Sequence, residues 1–304
     1  MKNYLCVLIL GMLVLPVFPQ EPPQSPGFAE RLKRVQAAEW IKKAEQGDVD
    51  AQFHVGFMYA VGENVSQDQK EAAKWYRAAA QEGHLEAQFE LGDRYYYGKG
   101  VVQDSRLAAS WYLPAAEQGH VTAQFKLGVM YERGQGVPQD YKEAVRWYGA
   151  AAQLGHAGAQ HNLGFTYSKG EGVPQDYKEA IRWYLEAAKQ EFASSQFNLA
   201  LLYNEGEGVP QDFQEAVRWF LAAAEQGHTD AQNNLGFMYS DGRGVPQDYI
   251  QAHMWFNLAA ASSGDDEREK AAKNRDLAAE KMTAEQIAEA QRLAREWKPK
   301  TGSQ

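Results

Sequence analysis

The thirteen residues GVPQDYKEAVRWY that begin at Gly136 return as GVPQDYKEAIRWY from Gly172, GVPQDFQEAVRWF from Gly208 and GVPQDYIQAHMWF from Gly244, 36 residues apart each time. A fixed period of this length marks a chain built from one supersecondary unit stacked on its own copies, and it overrides the one or two compact domains that 304 residues would otherwise suggest. Other columns keep the same period. Trp75, Trp111, Trp147, Trp183, Trp219 and Trp255 form one, with Trp40 a residue out of step, and Tyr59, Tyr95, Tyr131, Tyr167, Tyr203 and Tyr239 form another. An Ala-Gln pair recurs at Ala51, Ala87, Ala123, Ala159 and Ala231, and becomes Ser195–Gln196 in the fifth copy.

Each unit reads as two helices. In the third copy Ala123, Leu127 and Tyr131 stand four apart on one helical face, and Gly134, Gly136 and Pro138 stop that helix. Asp140, with Glu143 three residues on, has the spacing of a capping box that opens a second helix. Ala144, Trp147, Tyr148 and Ala151 then make an i, i+3, i+4, i+7 stripe, and Gly155 suits a left-handed C-terminal cap. The Asp-x-x-Glu pair repeats at Asp68, Asp176 and Asp212, and weakens to Asp104–Leu107 and Asp248–Gln251. Gly128 beside Leu127 predicts a close helix approach, with Trp147 and Tyr148 filling the gap between successive hairpins. One hairpin cannot bury such stripes alone, whereas a stack can. The repeated phrase is therefore architecture.

The expected organisation is a signal peptide over 1–19, a Pro-rich linker over 20–27, an N-terminal capping helix over 28–47, six hairpins over 48–262, C-terminal capping helices over 263–298 and a tail over 299–304. The first segment has Lys2, the apolar run YLCVLILGMLVLPVF and a polar, Pro-rich break, which is the anatomy of an export signal. Fifteen apolar residues are short for a membrane span, so a periplasmic or secreted protein is expected, with an uncleaved anchor as the alternative. Cys6, the only cysteine, lies within that run, so a processed chain has no thiol for a nucleophile or a metal. The net charge is −9, and −10 without Lys2, with no basic stripe, which argues against nucleic acid as a partner.

His84, His120, His156 and His228 each follow a glycine at equivalent places in separate repeats, too far apart to share an ion; a helix-capping role fits them better than metal ligation. The repeated Gly-x-Gly follows a helix rather than a strand and lacks a third glycine, so it is a turn and not a phosphate loop. No arrangement of nucleophile, base and oxyanion donor is recognisable. No enzyme, no cofactor and no metal is expected.

The pattern A-Q-x-x-L-G-x-x-Y-x-x-G-x-G-V-x-Q-D-x-x-E-A-x-x-W-Y-x-x-A-A-x-x-G-H, which runs from residue 38 to 262, resembles the Sel-one-like repeat family, relatives of the tetratricopeptide repeat. The resemblance implies an all-α, right-handed α-solenoid of about six 36-residue helix–turn–helix repeats with terminal capping helices, serving as a scaffold or adaptor for a protein or extended peptide. A monomer is expected, off the membrane once the signal is removed. A cysteine-rich branch of the family is associated with penicillin binding and weak β-lactam hydrolysis. This chain has neither its paired cysteines nor any Ser-x-x-Lys, so that reading stands as an alternative, beside a peptidoglycan or glycan binder.

By the same resemblance, three columns on the first helix of each hairpin would face a concave groove. The first holds Phe53, Phe89, Phe125, His161, Phe197 and Asn233. The last holds Phe57, Asp93, Val129, Phe165, Leu201 and Phe237, four residues on and so on the same face. The phenylalanines would line an apolar groove or, alternatively, pack between hairpins. The middle column runs His54, Glu90, Lys126, Asn162, Asn198 and Asn234. In some tetratricopeptide superhelices asparagines here bind the backbone of an extended peptide, because an amide both donates and accepts. Asn162, Asn198 and Asn234, with Asn233 and His161, are the candidate peptide-binding set; a merely solvated polar column is the alternative.

Overall fold

The computed structural model describes residues 26–262 and 265–300, so the expected signal segment, most of the linker and the end of the tail lie outside the described residues. The described chain is all helical. α1 (Pro26–Glu45) precedes six hairpins: α2 (Val49–Val61) with α3 (Gln69–Gln81), α4 (Leu85–Tyr97) with α5 (Ser105–Glu117), α6 (Val121–Arg133) with α7 (Tyr141–Gln153), α8 (Ala157–Lys169) with α9 (Tyr177–Ala188), α10 (Ala193–Glu205) with α11 (Phe213–Glu225), and α12 (Thr229–Asp241) with α13 (Tyr249–Ser262). α14 (Asp265–Ala279) and α15 (Ala284–Glu296) follow. From α1 to α14 each helix packs on its sequence neighbours, and α15 returns to α13, which makes the molecule an α-solenoid.

Within a hairpin the closest approach is a glycine under an aromatic ring. A Cβ added to Gly92 would lie 2.6 Å from Tyr112, and one on Gly128 would lie 2.6 Å from Tyr148. The rings Tyr76, Tyr112, Tyr148, Tyr184, Phe220 and Phe256 are consequently the largest fully buried side chains. Trp147 and Tyr148 divide the space expected of them. The tyrosine fills its own hairpin over Gly128 and meets the next hairpin at its outer side, while the tryptophan column reaches back to the preceding second helix: Trp183 clusters with α7 residues such as Tyr148 and Ala151, and Trp219 with Ile181 and Tyr184 of α9.

The turn glycines set the spacing between repeats. Gly134 closes α6 in the left-handed conformation (φ 66°). Gly136 (φ 71°) comes so near the first residue of α5 that a Cβ would fall 2.3 Å from the Ser105 carbonyl. The loops of repeats two to six all rest in this way on the start of the preceding second helix, a contact that needs a residue without a side chain; the first repeat, which has no second helix before it, has Asn64 there.

The second helices are capped by aspartate, as expected, but not by a reciprocal box. Asp140 accepts from the N–H groups of Lys142 (2.8 Å) and Glu143 (3.2 Å). Its own N–H donates to the Tyr131 carbonyl at 2.9 Å, and Glu143 turns to Arg146 at 3.1 Å. The cap therefore does not need the glutamate. Asp104 and Asp248 make the same bonds with Leu107 and Gln251 at the third position. The reciprocal box forms at Thr283 and Gln286, on α15.

Both ends are covered. α1 packs on α2 through Ala37, Ile41 and Ala44, in the place a preceding second helix would take. At the other end α14 and α15 lie on α13, Trp297 meets Trp255 edge-on at 6.3 Å, and Lys300 pairs with Glu225 through both its backbone N–H and its ammonium.

A candidate binding wall on the first helices

The first column belongs largely to the seam between repeats. Phe53, Phe89, Phe125 and Phe197 are half-buried, and each stacks on the histidine that opens the next first helix: His84 at 4.5 Å, His120 at 4.2 Å, His156 at 4.4 Å and His228 at 4.7 Å. Those histidines are N-caps, with Nδ1 accepting from the N–H three residues on, for example Ala123 N–H at 3.1 Å. One contact thus joins two elements: the ring fixes the cap, and the cap fixes the next helix. Asn233, last in the column, accepts a hydrogen bond from Asn274 of α14 at 3.1 Å.

His161 stands where the other repeats have phenylalanine, and the cap position opposite it is Phe192. The two rings still meet, at 5.1 Å, and His161 Nδ1 bonds the buried Ser195 hydroxyl at 2.9 Å. Burial, with a smaller contribution from His228, lowers the His161 pKa to about 4. This Ser–His pair has no carboxylate bonded to it among the described residues and is a seam contact.

The middle column changes character along the stack. His54 lies against Trp40 (4.3 Å). Glu90 is half-buried, and burial, reinforced by Asp93, raises its pKa. Lys126 pairs with Asp93 at 2.6 Å above the rings of Phe89, Tyr97 and Tyr112. Tyr112 also donates to Asp93 (2.6 Å), and Tyr148 donates to Glu132, so burial and a neighbouring carboxylate drive both phenols far up. From the fourth repeat onward charge disappears from the column. Asn162 lies against the Tyr148 hydroxyl, and Asn198 Nδ2 donates to the Tyr184 hydroxyl at 3.2 Å. Phe220 has no hydroxyl to offer, and Asn234 Nδ2 instead donates to the Asp230 carbonyl at 2.8 Å. An amide can make four hydrogen bonds, so each asparagine keeps free capacity.

The last column supplies the exposed rings. Phe57, Phe165 and Phe237 are 41%, 38% and 42% exposed, and Val129 and Leu201 lie half-buried between them. The wall therefore divides in two. Repeats two and three carry a charged network satisfied largely within itself, and repeats four to six carry asparagines alternating with apolar side chains.

Six consecutive matches to the Sel1 repeat profile cover residues 49–84, 85–120, 121–156, 157–192, 193–228 and 229–263. The chain belongs to the Sel1 repeat family. Its Sel1 repeats are similar to those of a solved Sel1 repeat protein from Oxalobacter formigenes, at 35% identity and a TM-score of 0.60, over 71% of this chain and 89% of that one. They are also similar, at 26% identity and a TM-score of 0.46, to c5321, a protective antigen of uropathogenic Escherichia coli with this fold, over 89% of this chain and 84% of that one. None of the curated proteins matches. Sel1 repeat solenoids typically mediate protein–protein interaction. Among the described residues no helix is long and apolar enough to cross a membrane, and no group of three metal-ligating side chains converges.

One Sel1 position escaped the column reading. Arg94 stands where the other repeats have Met58, Met130, Thr166, Leu202 and Met238, and it is buried. The signal was present in the alignment of the repeats with one another, as a lone cation in a core column. It lies one residue outside the columns expected to face a groove.

Proposed function

We propose that this protein is an exported adaptor that holds an extended peptide segment of a partner protein along the first helices of repeats four to six. The observation that carries the reading is the uncharged half of the wall. Asn162, Asn198 and Asn234 recur every 36 residues with spare hydrogen-bonding capacity, and Phe165, Leu201 and Phe237 stand beside them. Amides satisfy a peptide backbone whatever its sequence, and exposed rings take alternate side chains, so the pair suits an extended segment. Phe197, stacked on His228 at the seam within the same stretch, would contribute its free edge. Export rests on residues 1–19, and fusing residues 1–27 to a reporter enzyme active only outside the cytoplasm tests it.

The test of binding is a selection of twelve-residue peptides from a random display library. Asn162→Ala, Asn198→Ala and Asn234→Ala together should weaken the selected peptides at least tenfold, about 1.4 kcal/mol, with the helical circular dichroism unchanged. Undiminished affinity in the triple variant would sink the proposal.

A further inference from the structure

Arg94 is 4% exposed. Its guanidinium lies 4.7 Å from the Tyr76 ring, and Nη1 donates to Gln69 Oε1 at 2.9 Å and, at greater length, to the carbonyls of Gln69 (3.5 Å) and Lys99 (3.4 Å). All of these partners are neutral. No carboxylate of the described residues lies within ion-pair distance of Arg94, and its buried Nε has no acceptor among them. A buried cation whose direct hydrogen-bond partners are all neutral is costly, and arginine is the side chain whose planar fork matches a carboxylate. In the same column four of the other five repeats place methionine or leucine, so packing did not call for a charge here.

A cavity of about 540 Å³ opens beside the guanidinium, between the first and second repeats. Phe57, Val61, Tyr76, Glu90, Asp93 and Lys99 contribute to its wall. Asp93 is already engaged by the Lys126 ammonium and the Tyr112 hydroxyl. That leaves two cations, Arg94 and Lys99, facing the single carboxyl of Glu90. Burial, reinforced by Asp93, raises the Glu90 pKa against the pull of Arg94 and Lys99, so Glu90 is a weaker partner for the guanidinium than a solvated carboxylate would be. Phe57 and Val61, one turn apart on α2, are 41% and 53% exposed and give the cavity an apolar side.

We propose that this cavity binds a small carboxylic acid with a compact apolar body, its carboxylate against Arg94 and Lys99 and its body against Phe57 and Val61. The volume is that of a small-molecule site. The inference does not rest on the asparagine wall, which lies in other repeats. Its competitor is internal: Glu90 stands four residues before Arg94 on the same helix, a spacing at which the two side chains can pair.

The experiment is a titration of the ¹⁵N-labelled protein with 3-phenylpropionate, following the Arg94 Nε–Hε resonance, with 3-phenylpropionamide as the uncharged control. The acid should shift that resonance saturably with a Kd of about 1 mM or tighter, and the amide should not. N-acetyl-glycyl-phenylalanine, run in parallel, separates the two sources of a carboxylate: a tighter Kd for it assigns the site to a peptide terminus, and a weaker one to a free acid. Arg94→Met restores the residue found at Met58, Met130 and Met238, so it should fold, and it should abolish the saturable shifts at neighbouring backbone amides. Lys99→Ala, at an exposed position, should weaken the acid several-fold and Glu90→Gln should tighten it at least threefold. No saturable shift up to about 20 mM acid, equal shifts with the amide, or loss of binding in Glu90→Gln would overturn the proposal.

Discussion

His161 and Phe192 exchange the places that phenylalanine and histidine hold at the other four Phe–His junctions, and Ser195 departs with them, standing where most repeats have alanine. A residue of one repeat and two near the junction with the next thus change together because they touch: the rings meet at 5.1 Å, and the serine hydroxyl satisfies the imidazole at 2.9 Å. The exchange moves an ionisable ring from a cap into the seam, where burial lowers its pKa to about 4. Below pH ~6.5 the unfolded chain takes up a proton that the folded chain refuses, so this contribution is complete above that pH and is lost as the pH falls toward 4. The limiting loss is roughly 3 kcal/mol, reduced to about half that by the ring's partial exposure. His156 and His228, also lowered chiefly by burial, act in the same direction. Urea midpoints should therefore fall between pH 7.5 and pH 5, and His161→Phe should remove the largest single share of that slope. In a double-mutant cycle at pH 7.5, His161→Phe should destabilise by about 1 kcal/mol, and the pair with Phe192→His should be at least ~1 kcal/mol more stable than the sum of the single effects. Strictly additive losses would show that the two rings do not act as a unit.

At the scale of elements, the same exchange leaves α10 the worst-founded helix of the stack. Its N-cap, Phe192, makes no side-chain hydrogen bond, whereas the first helices of the other hairpins are capped by Asp48 or by a histidine. The residue before it, Glu191, holds φ 61°, where Gly47, Gly83, Gly119, Gly155 and Gly227 stand in the other repeats. A missing cap and a side chain in the left-handed region each cost about 1 kcal/mol. The first-turn amides of α10, residues 194–196, should exchange with deuterium faster than residues 158–160 of α8, and Glu191→Gly should slow them and raise stability by ~1 kcal/mol. Equal exchange in the two helices would remove the argument. Helix number, turn placement and the aspartate caps were all legible in the sequence, because each depends on residues within a few positions of one another and repeats six times. What was not legible depended on contacts beyond that reach. Glu143 has the spacing of a reciprocal cap, yet its carboxylate accepts from Arg146 one turn further on and the Asp140 N–H goes to the Tyr131 carbonyl. Phe89 lies on a face that could have been open, yet a histidine 31 residues later covers one side of it. Arg94 could be read only by setting the repeats against one another, since nothing local distinguishes it from a surface arginine.

At the scale of the whole molecule, a solenoid's stability is the sum of its repeats and of the interfaces between them, so an uncovered end loses an interface that nothing replaces. The last hairpin shows what the closing helices do. Trp255, Leu258 and Ala259 of α13 are buried, and Trp297 and Leu293 pack in the same cluster as Trp255 and Leu258. α14 adds a cover for Ala259 and Ala260 through Ala271, and its Asn274 amide donates to the Asn233 side-chain Oδ1. Ending the chain after residue 262 would uncover that face together with the Glu225 carboxylate that Lys300 pairs with. An apolar face of this kind is a site for self-association. Losing several buried side chains costs several kcal/mol, and for a chain of this size that should lower Tm by at least ~6 °C. Light scattering after size exclusion should show the 1–262 chain associating where the full chain does not, while the amides of α4 to α9 keep their protection, because those repeats touch only their neighbours. Ending the chain after residue 298 instead removes the exposed Lys300–Glu225 pair and spares α14 and α15; that change should shift Tm by no more than ~2 °C. If the two truncations proved equally mild, the helices after residue 264 would be passengers, and the solenoid would have to be closed at Trp255 by some other means.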